Sequence, residues 1–200
     1  MTEHYYSNKP SVESKPFTFH YKLKGHSFVF TSDFGVFSKS EIDFGSKLLI
    51  DTIVIPAVRG DILDIGCGYG PIGLALAKEN PERHVDMVDV NERALQLARK
   101  NSEQNKVDNV SIYQSNLFEN VKEESFAVIV TNPPIRAGKK VVHDLFEKSY
   151  HYLVENGELW IVIQKKQGAP SAIEKLQSIF AEVEVVSKKK GYYIIKSKKS

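Results

Sequence analysis

The 200-residue chain has 42% apolar and 26% charged residues, a formal charge of +2 and a sequence pI of about 8.4. That suffices for one well-buried domain, and the charge is too weak to imply nucleic-acid binding by itself. A single cysteine, Cys67, excludes an internal disulfide. No apolar run reaches the length of a membrane helix, and the polar N-terminal decapeptide lacks a secretory pattern, so the expectation is a cytoplasmic protein.

Residues 1–15 are polar. Residues 17–31 carry two β-rich runs about Lys24–Gly25, which predicts a hairpin. Residues 42–55 place Leu48, Leu49, Thr52 and Ile53 on one helical face, ended by Pro56. From residue 61 the pattern alternates: strands at 62–65, 85–90, 110–113, 126–131 and 159–163, and helices at 71–78, 92–106, 140–155 and 171–180. In the fourth helix Val142, Leu145, Phe146, Ser149 and Leu153 form one stripe. Two last strands, 183–186 and 192–195, are joined by Lys188-Lys189-Lys190-Gly191, too short for a helical crossover. The expectation is a Rossmann-like, doubly wound α/β fold. It has a mostly parallel seven-stranded sheet, an antiparallel C-terminal hairpin and a β-rich N-terminal extension. Residues 1–58 read as that extension packed on the core, and 59–200 as the cofactor-binding domain.

The first strand of the alternating region runs into Asp64-Ile65-Gly66-Cys67-Gly68-Tyr69-Gly70-Pro71-Ile72-Gly73. Such glycines permit a tight turn and close ligand approach, and Pro71 suits the first turn of a helix. Asp89 ends the next strand, where a carboxylate can accept both hydroxyls of a ribose. Gly68, Gly70 and Gly73 also satisfy a dinucleotide fingerprint, so the glycines leave two cofactor classes open. Asp64 favours S-adenosylmethionine (SAM): its sulfonium and ammonium groups welcome a carboxylate that a pyrophosphate would not. Asp64 could instead, or also, cap backbone amides of the glycine loop. Cys67 reads as a small filler there.

The apolar strand 126–131 ends in Asn132-Pro133-Pro134-Ile135. Two prolines remove two backbone donors, which a central strand does not tolerate. Chemistry accounts for them. An exocyclic amino or carboxamide nitrogen has a delocalised lone pair. Two acceptors on its N–H groups, the Asn132 side-chain oxygen and the Pro133 carbonyl, would hold it in line with a methyl donor, Pro134 fixing the direction of that carbonyl.

Together, Asp64–Gly70, Asp89 and Asn132-Pro133-Pro134 resemble a class I SAM-dependent methyltransferase of the amino-methylating type. Gly35-Val36-Phe37-Ser38 followed by Asp43-x-Gly45-x-x-Leu48-Leu49 is similar to the "small-domain" methyltransferases, specifically the catalytic half of bacterial small-subunit ribosomal RNA guanine-N2 enzymes. The resemblance spans about residues 3–197. It implies SAM as cofactor, held by Asp64, Gly66, Cys67, Gly68, Gly70, Asp89, Val90, Asn116, Leu117 and Asn132, with Asn116 toward the adenine amino group. Phe37 and Asp43 are further candidates for the pocket. It implies catalysis at Asn132, Pro133 and Pro134, and RNA as partner.

Two features depart from the family: Ile135 stands where a stacking aromatic is frequent, and the second, noncatalytic half is missing. Ile135, Arg136, Lys139 and Lys140 are candidate substrate contacts. Lys188, Lys189, Lys190, Lys196, Lys198 and Lys199 make a second basic cluster, readable as RNA contact or as protection of an edge strand. A third possible contact surface is His20, Lys22, Lys24 and His26. No metal site is expected. Methylation of a protein glutamine, a small-molecule substrate, a noncatalytic SAM-binding module and a dehydrogenase are the alternatives.

Overall fold

A computed structural model describes residues 13–34, 36, 41–122 and 125–200. Gly35, Phe37 and Ser38 of the Gly-Val-Phe-Ser block lie outside the described residues, as does most of the N-terminal polar stretch.

Strands β1 (Phe17–Leu23) and β2 (His26–Ser32) pair antiparallel around Lys24-Gly25. Both turn residues have positive φ, 48° and 80°, the two-residue hairpin geometry that matches strand twist. Helix α1 (Phe44–Thr52) follows, capped by Asp43, whose carboxylate accepts the Ser46 N–H at 3.0 Å.

Strands β3 (Asp61–Ile65), β4 (Val85–Asp89), β5 (Val110–Gln114), β6 (Phe126–Thr131) and β7 (Leu153–Gln164) are parallel. Their connections carry α2 (Pro71–Glu79), α3 (Glu92–Gln104) and α4 (Lys139–Tyr152). Helix α5 (Ala169–Gln177) then leads to β8 (Glu182–Lys189) and β9 (Tyr192–Lys198), which pair antiparallel. The spatial order is β5-β4-β3-β6-β7-β9-β8, so the order reverses between β3 and β6. This is the expected doubly wound sheet with its antiparallel hairpin.

Alternating strand residues supply the two faces. Ile62, Val128 and Val130 join the cluster under α1, α2, α3 and the N-terminal hairpin. Leu63, Ile65 and Ile129 join the cluster under α4 and α5. The central strand β6, Phe126–Thr131, is buried along its whole length because both its faces are covered.

Several boundaries differ from the sequence reading, and two of them move residues named there. Leu153, expected on the stripe of α4, is instead the first residue of β7, and it is buried there against the second cluster. The last turn is only Lys190-Gly191, with φ of 48° and 77°; Lys188 and Lys189 belong to β8. The C-terminal lysines therefore do not form one cluster. Lys188–Lys190 lie at one end of the hairpin. Lys196 and Lys198 lie toward the other, paired with Glu184 and Glu182.

The N-terminal hairpin is held by side-chain amides. The backbone of β2 that faces no strand meets α3: the Val29 N–H donates to Asn105 Oδ1 at 2.8 Å, and the Thr31 N–H to Asn101 Oδ1 at 2.7 Å. Asn105 and Asn101 return N–H bonds to the Val29 and Thr31 carbonyls. Asn101 is fully buried and also donates to the Tyr69 carbonyl at 2.8 Å, so one side chain ties the hairpin to the glycine loop. Each buried backbone group left unpaired would cost about 1–3 kcal/mol.

Candidate active site

A cavity of about 270 Å³ opens at the carboxyl ends of β3, β4, β5 and β6, where the strand order reverses. Of the residues expected to bind cofactor, Gly66, Cys67, Gly68, Asp89, Val90, Asn116, Leu117 and Asn132 line it, together with Pro133 and Pro134. Asp43 lines it as well.

The glycine loop satisfies its own amides. The Gly66 and Cys67 N–H groups both donate to the Val88 carbonyl at 2.9 Å, and the Gly70 N–H to the Cys67 carbonyl at 3.0 Å. The Gly68 N–H donates to Asp89 at 2.9 Å. The start of α2 is occupied too: the Gly73 N–H donates to Asp64 Oδ2 at 2.8 Å. A dinucleotide site needs these amides and this helix terminus for its pyrophosphate. Here a fixed carboxylate holds the terminus. Gly73 answers to packing, since a Cβ there would fall 2.7 Å from Met87 and 2.9 Å from Asp64.

Asp64 and Gly70 do not line the cavity. Asp64 is fully buried behind the loop on the α2 side, in the capping role, with Oδ1 unpartnered among the described residues. Burial drives its pKa up to about 7, Gly73 opposes this, and the Asp89 charge adds to it. Burial likewise pushes the Cys67 thiol up, with Asp89 and Asp64 adding, so it stays protonated and no nucleophile.

The chemistry of the lining fits a cationic ligand. Asp43 and Asp89 contribute carboxylates, and no Lys, Arg or His lines the cavity among the described residues. The unpartnered Asp64 oxygen adds negative character behind the loop. At Gly66 a Cβ would meet nothing within 4 Å, so the loop offers bare backbone to the cavity. Asp89, at the cavity wall, accepts the Gly68 and Asn91 N–H groups, one on each oxygen, which fixes its carboxylate at the end of β4. Asn116 donates to Glu119 at 3.3 Å, which leaves its carbonyl oxygen to accept from an amino group.

Asn132 follows the last residue of β6. Its Nδ2 donates to Ser46 Oγ at 3.3 Å, so its Oδ1 is left for a ligand. Ser46 is buried in the first turn of α1 and lines the cavity. A Cβ on Gly45 would sit 2.7 Å from the Tyr192 ring, so glycine there lets α1 lie close against β9. The Pro133 carbonyl already accepts the Ile135 N–H at 2.8 Å and has a second lone pair available.

Sequence reasoning passed over Ser46, Tyr69, Ser115, Ala137 and Val141, all in the lining. Ser46 had a signal, lying directly after Asp43-x-Gly45; Ala137 and Val141 had none. The four expected substrate contacts are displaced from the main cavity. Ile135 packs against the second apolar cluster and, with Lys139, lines a separate smaller cavity; Arg136 and Lys140 are exposed outside both. A short helical turn at Ile135–Ala137 aims Ile135 and Arg136 away from the cavity while Ala137 stays in its wall.

Residues 27–196 match the family model of the methyltransferase small domain, and the chain belongs to that family. It is 64% identical to the Bacillus subtilis protein YbxB over the full length of both. It is 34% identical over 182 residues to the ribosomal RNA small subunit methyltransferase C of Aliivibrio fischeri, covering 89% of this chain and 52% of that protein. The chain thus spans about half the length of the ribosomal RNA methyltransferases it matches. Among solved structures, the 16S rRNA N2 methyltransferase of Thermus thermophilus, determined with AdoMet and guanosine, superposes with a TM-score of 0.82 at 24% identity. That superposition covers 96% of this chain and 52% of the other.

Proposed function

We propose that this methyltransferase uses SAM and methylates the 2-amino group of a guanine in ribosomal RNA, in the cytoplasm. The observation that carries the reading is the meeting of Asn132, Pro133 and Pro134 with Asp89 and the glycine loop in one cavity that holds carboxylates and, among the described residues, no cationic side chain. The relatives that act on ribosomal RNA support the choice of acceptor.

Bound SAM supplies an electrophilic methyl on a positively charged sulfur. Asp89 would hold the ribose hydroxyls, Asn116 and Leu117 would hold the adenine, and the carboxylates of Asp43, Asp64 and Asp89 would favour the positive charge. At the acceptor, Asn132 Oδ1 and the Pro133 carbonyl each take one N–H of the amino group. That arrangement would direct the nitrogen lone pair into the cavity and disfavour its delocalisation into the ring. The sulfonium would give its methyl to that nitrogen and leave as a neutral thioether, and the nitrogen would release one proton to water. Ser46 keeps the Asn132 amide in the accepting orientation. Catalysis here is positioning and electrostatics.

The test is transfer of labelled methyl from SAM into RNA, ribosomal subunits and protein taken from cells lacking the gene, beside an Asn132→Ala control. Label in RNA that vanishes in the control is expected. Label confined to protein would replace the reading with glutamine methylation.

A further inference from the structure

The carboxyl edge of the sheet continues past the cavity, through the segments that follow β6, β7 and β8. The segment after β6 carries Arg136, Lys139 and Lys140, all exposed. The segment after β7 carries Lys165 and Lys166, both exposed. The end of β8 carries Lys189 and the β8–β9 turn Lys190, both exposed, and the turn is tied to the second segment by the Lys165 N–H donating to the Gly191 carbonyl at 2.8 Å. Residues 132–140, 164–168 and 187–191 contain no Asp or Glu. None of these seven cations has an ion pair among the described residues; Lys190 alone has an aromatic partner, Phe44.

Edge-strand protection does not account for this set. Lys196 and Lys198, farther along the same hairpin, are paired with glutamates, while Lys165 and Lys166 lie on no edge strand. Seven unpaired like charges on one rim are held together against their own repulsion, and an anionic partner would relieve it. Three strand spacings of about 4.8 Å make the rim roughly 14 Å across, room for a run of phosphates rather than one. Between the first two segments lies a groove of about 130 Å³, lined by Lys139, Gln167 and Ser171 with Ile135 and Ile163 on its apolar side.

We infer that this rim is the docking track for the phosphodiester backbone of the RNA flanking the target nucleotide, running from the Asn-Pro-Pro segment over Lys165 and Lys166 to the β8–β9 turn. The inference rests on RNA being the acceptor. It assigns Lys165, Lys166, Lys189 and Lys190 to substrate binding. Phosphate contacts of this kind position the substrate and leave the choice of base to the cavity.

The experiment compares methyl transfer to ribosomal RNA by the whole chain, by Lys165→Ala/Lys189→Ala, by the charge-reversed Lys166→Glu, and by a charge-matched control away from the rim, Lys100→Ala/Lys198→Ala. SAM affinity is measured in each as a check on folding. The double rim variant should raise the KM for RNA about tenfold at physiological salt and lower the salt slope of binding by about 1.4, with kcat and SAM affinity held. The reversal should raise KM as well, and the control should not. Unchanged KM and salt slope in both rim variants, or an equal loss in the control, would overturn the track while leaving RNA as acceptor. A wild-type protein that labels protein and no RNA would overturn both.

Discussion

The two halves of the carboxyl edge are built on opposite principles. In the half formed by β3, β4 and β5, loop amides are consumed internally, by Val88, Cys67, Asp64 and Asp89, and the charges are buried carboxylates. In the half that follows β6, β7 and β8, the segments are exposed and their charges are unpaired cations. The first half is pre-organised for a small cationic ligand, and reorganises little when it binds. The second suits an extended anion that contributes its own shape. Asn132 stands at the seam, tethered by Ser46.

Removing the seam has the largest effect. Asn132→Ala should lower kcat by about 10²–10³-fold. SAM affinity should stay within about threefold, since the cofactor half retains its other hydrogen bonds. Steady-state methylation together with calorimetry separates the two. The clasp beneath the cofactor half comes next. Asn101→Leu deprives the Thr31 N–H and two carbonyls of their partner and should cost about 3 kcal/mol in urea unfolding. Within the cofactor half, Asp89→Ala removes acceptors for the ribose and should weaken SAM binding by about 2 kcal/mol, roughly 30-fold, by titration.

The smallest effect is a pH dependence peculiar to the cofactor half. Asp64 has its pKa raised to about 7. A cation bound nearby favours the ionised form and lowers that pKa, so binding releases a proton. SAM affinity should therefore climb with pH from 6 toward 8, by about three- to tenfold, and level off once Asp64 is ionised in the free protein. Asp64→Asn should flatten the profile.

Much of this contrast is written in local sequence. The strands, the glycine loop, Asp89 and Asn132-Pro133-Pro134 are contiguous signals, and the structure sets the last three around one cavity. What the sequence conceals depends on distant pairings. Asp64 sits in the glycine motif, yet only the turn into α2 aims it at the Gly73 N–H and away from the cavity. Ser46 is 86 residues from Asn132. Ile135 follows the prolines directly, but a single helical turn carries it into the neighbouring core. The lysine run at 188–190 looks continuous with 196–199 until the hairpin register separates them along the strands.

The most direct test of the contrast is a pair of calorimetric titrations of the wild-type protein, one with SAM and one with NADH. The account predicts saturable SAM binding and no NADH binding, because the loop amides and the α2 terminus that a pyrophosphate would need are already taken. NADH binding without SAM binding would contradict it.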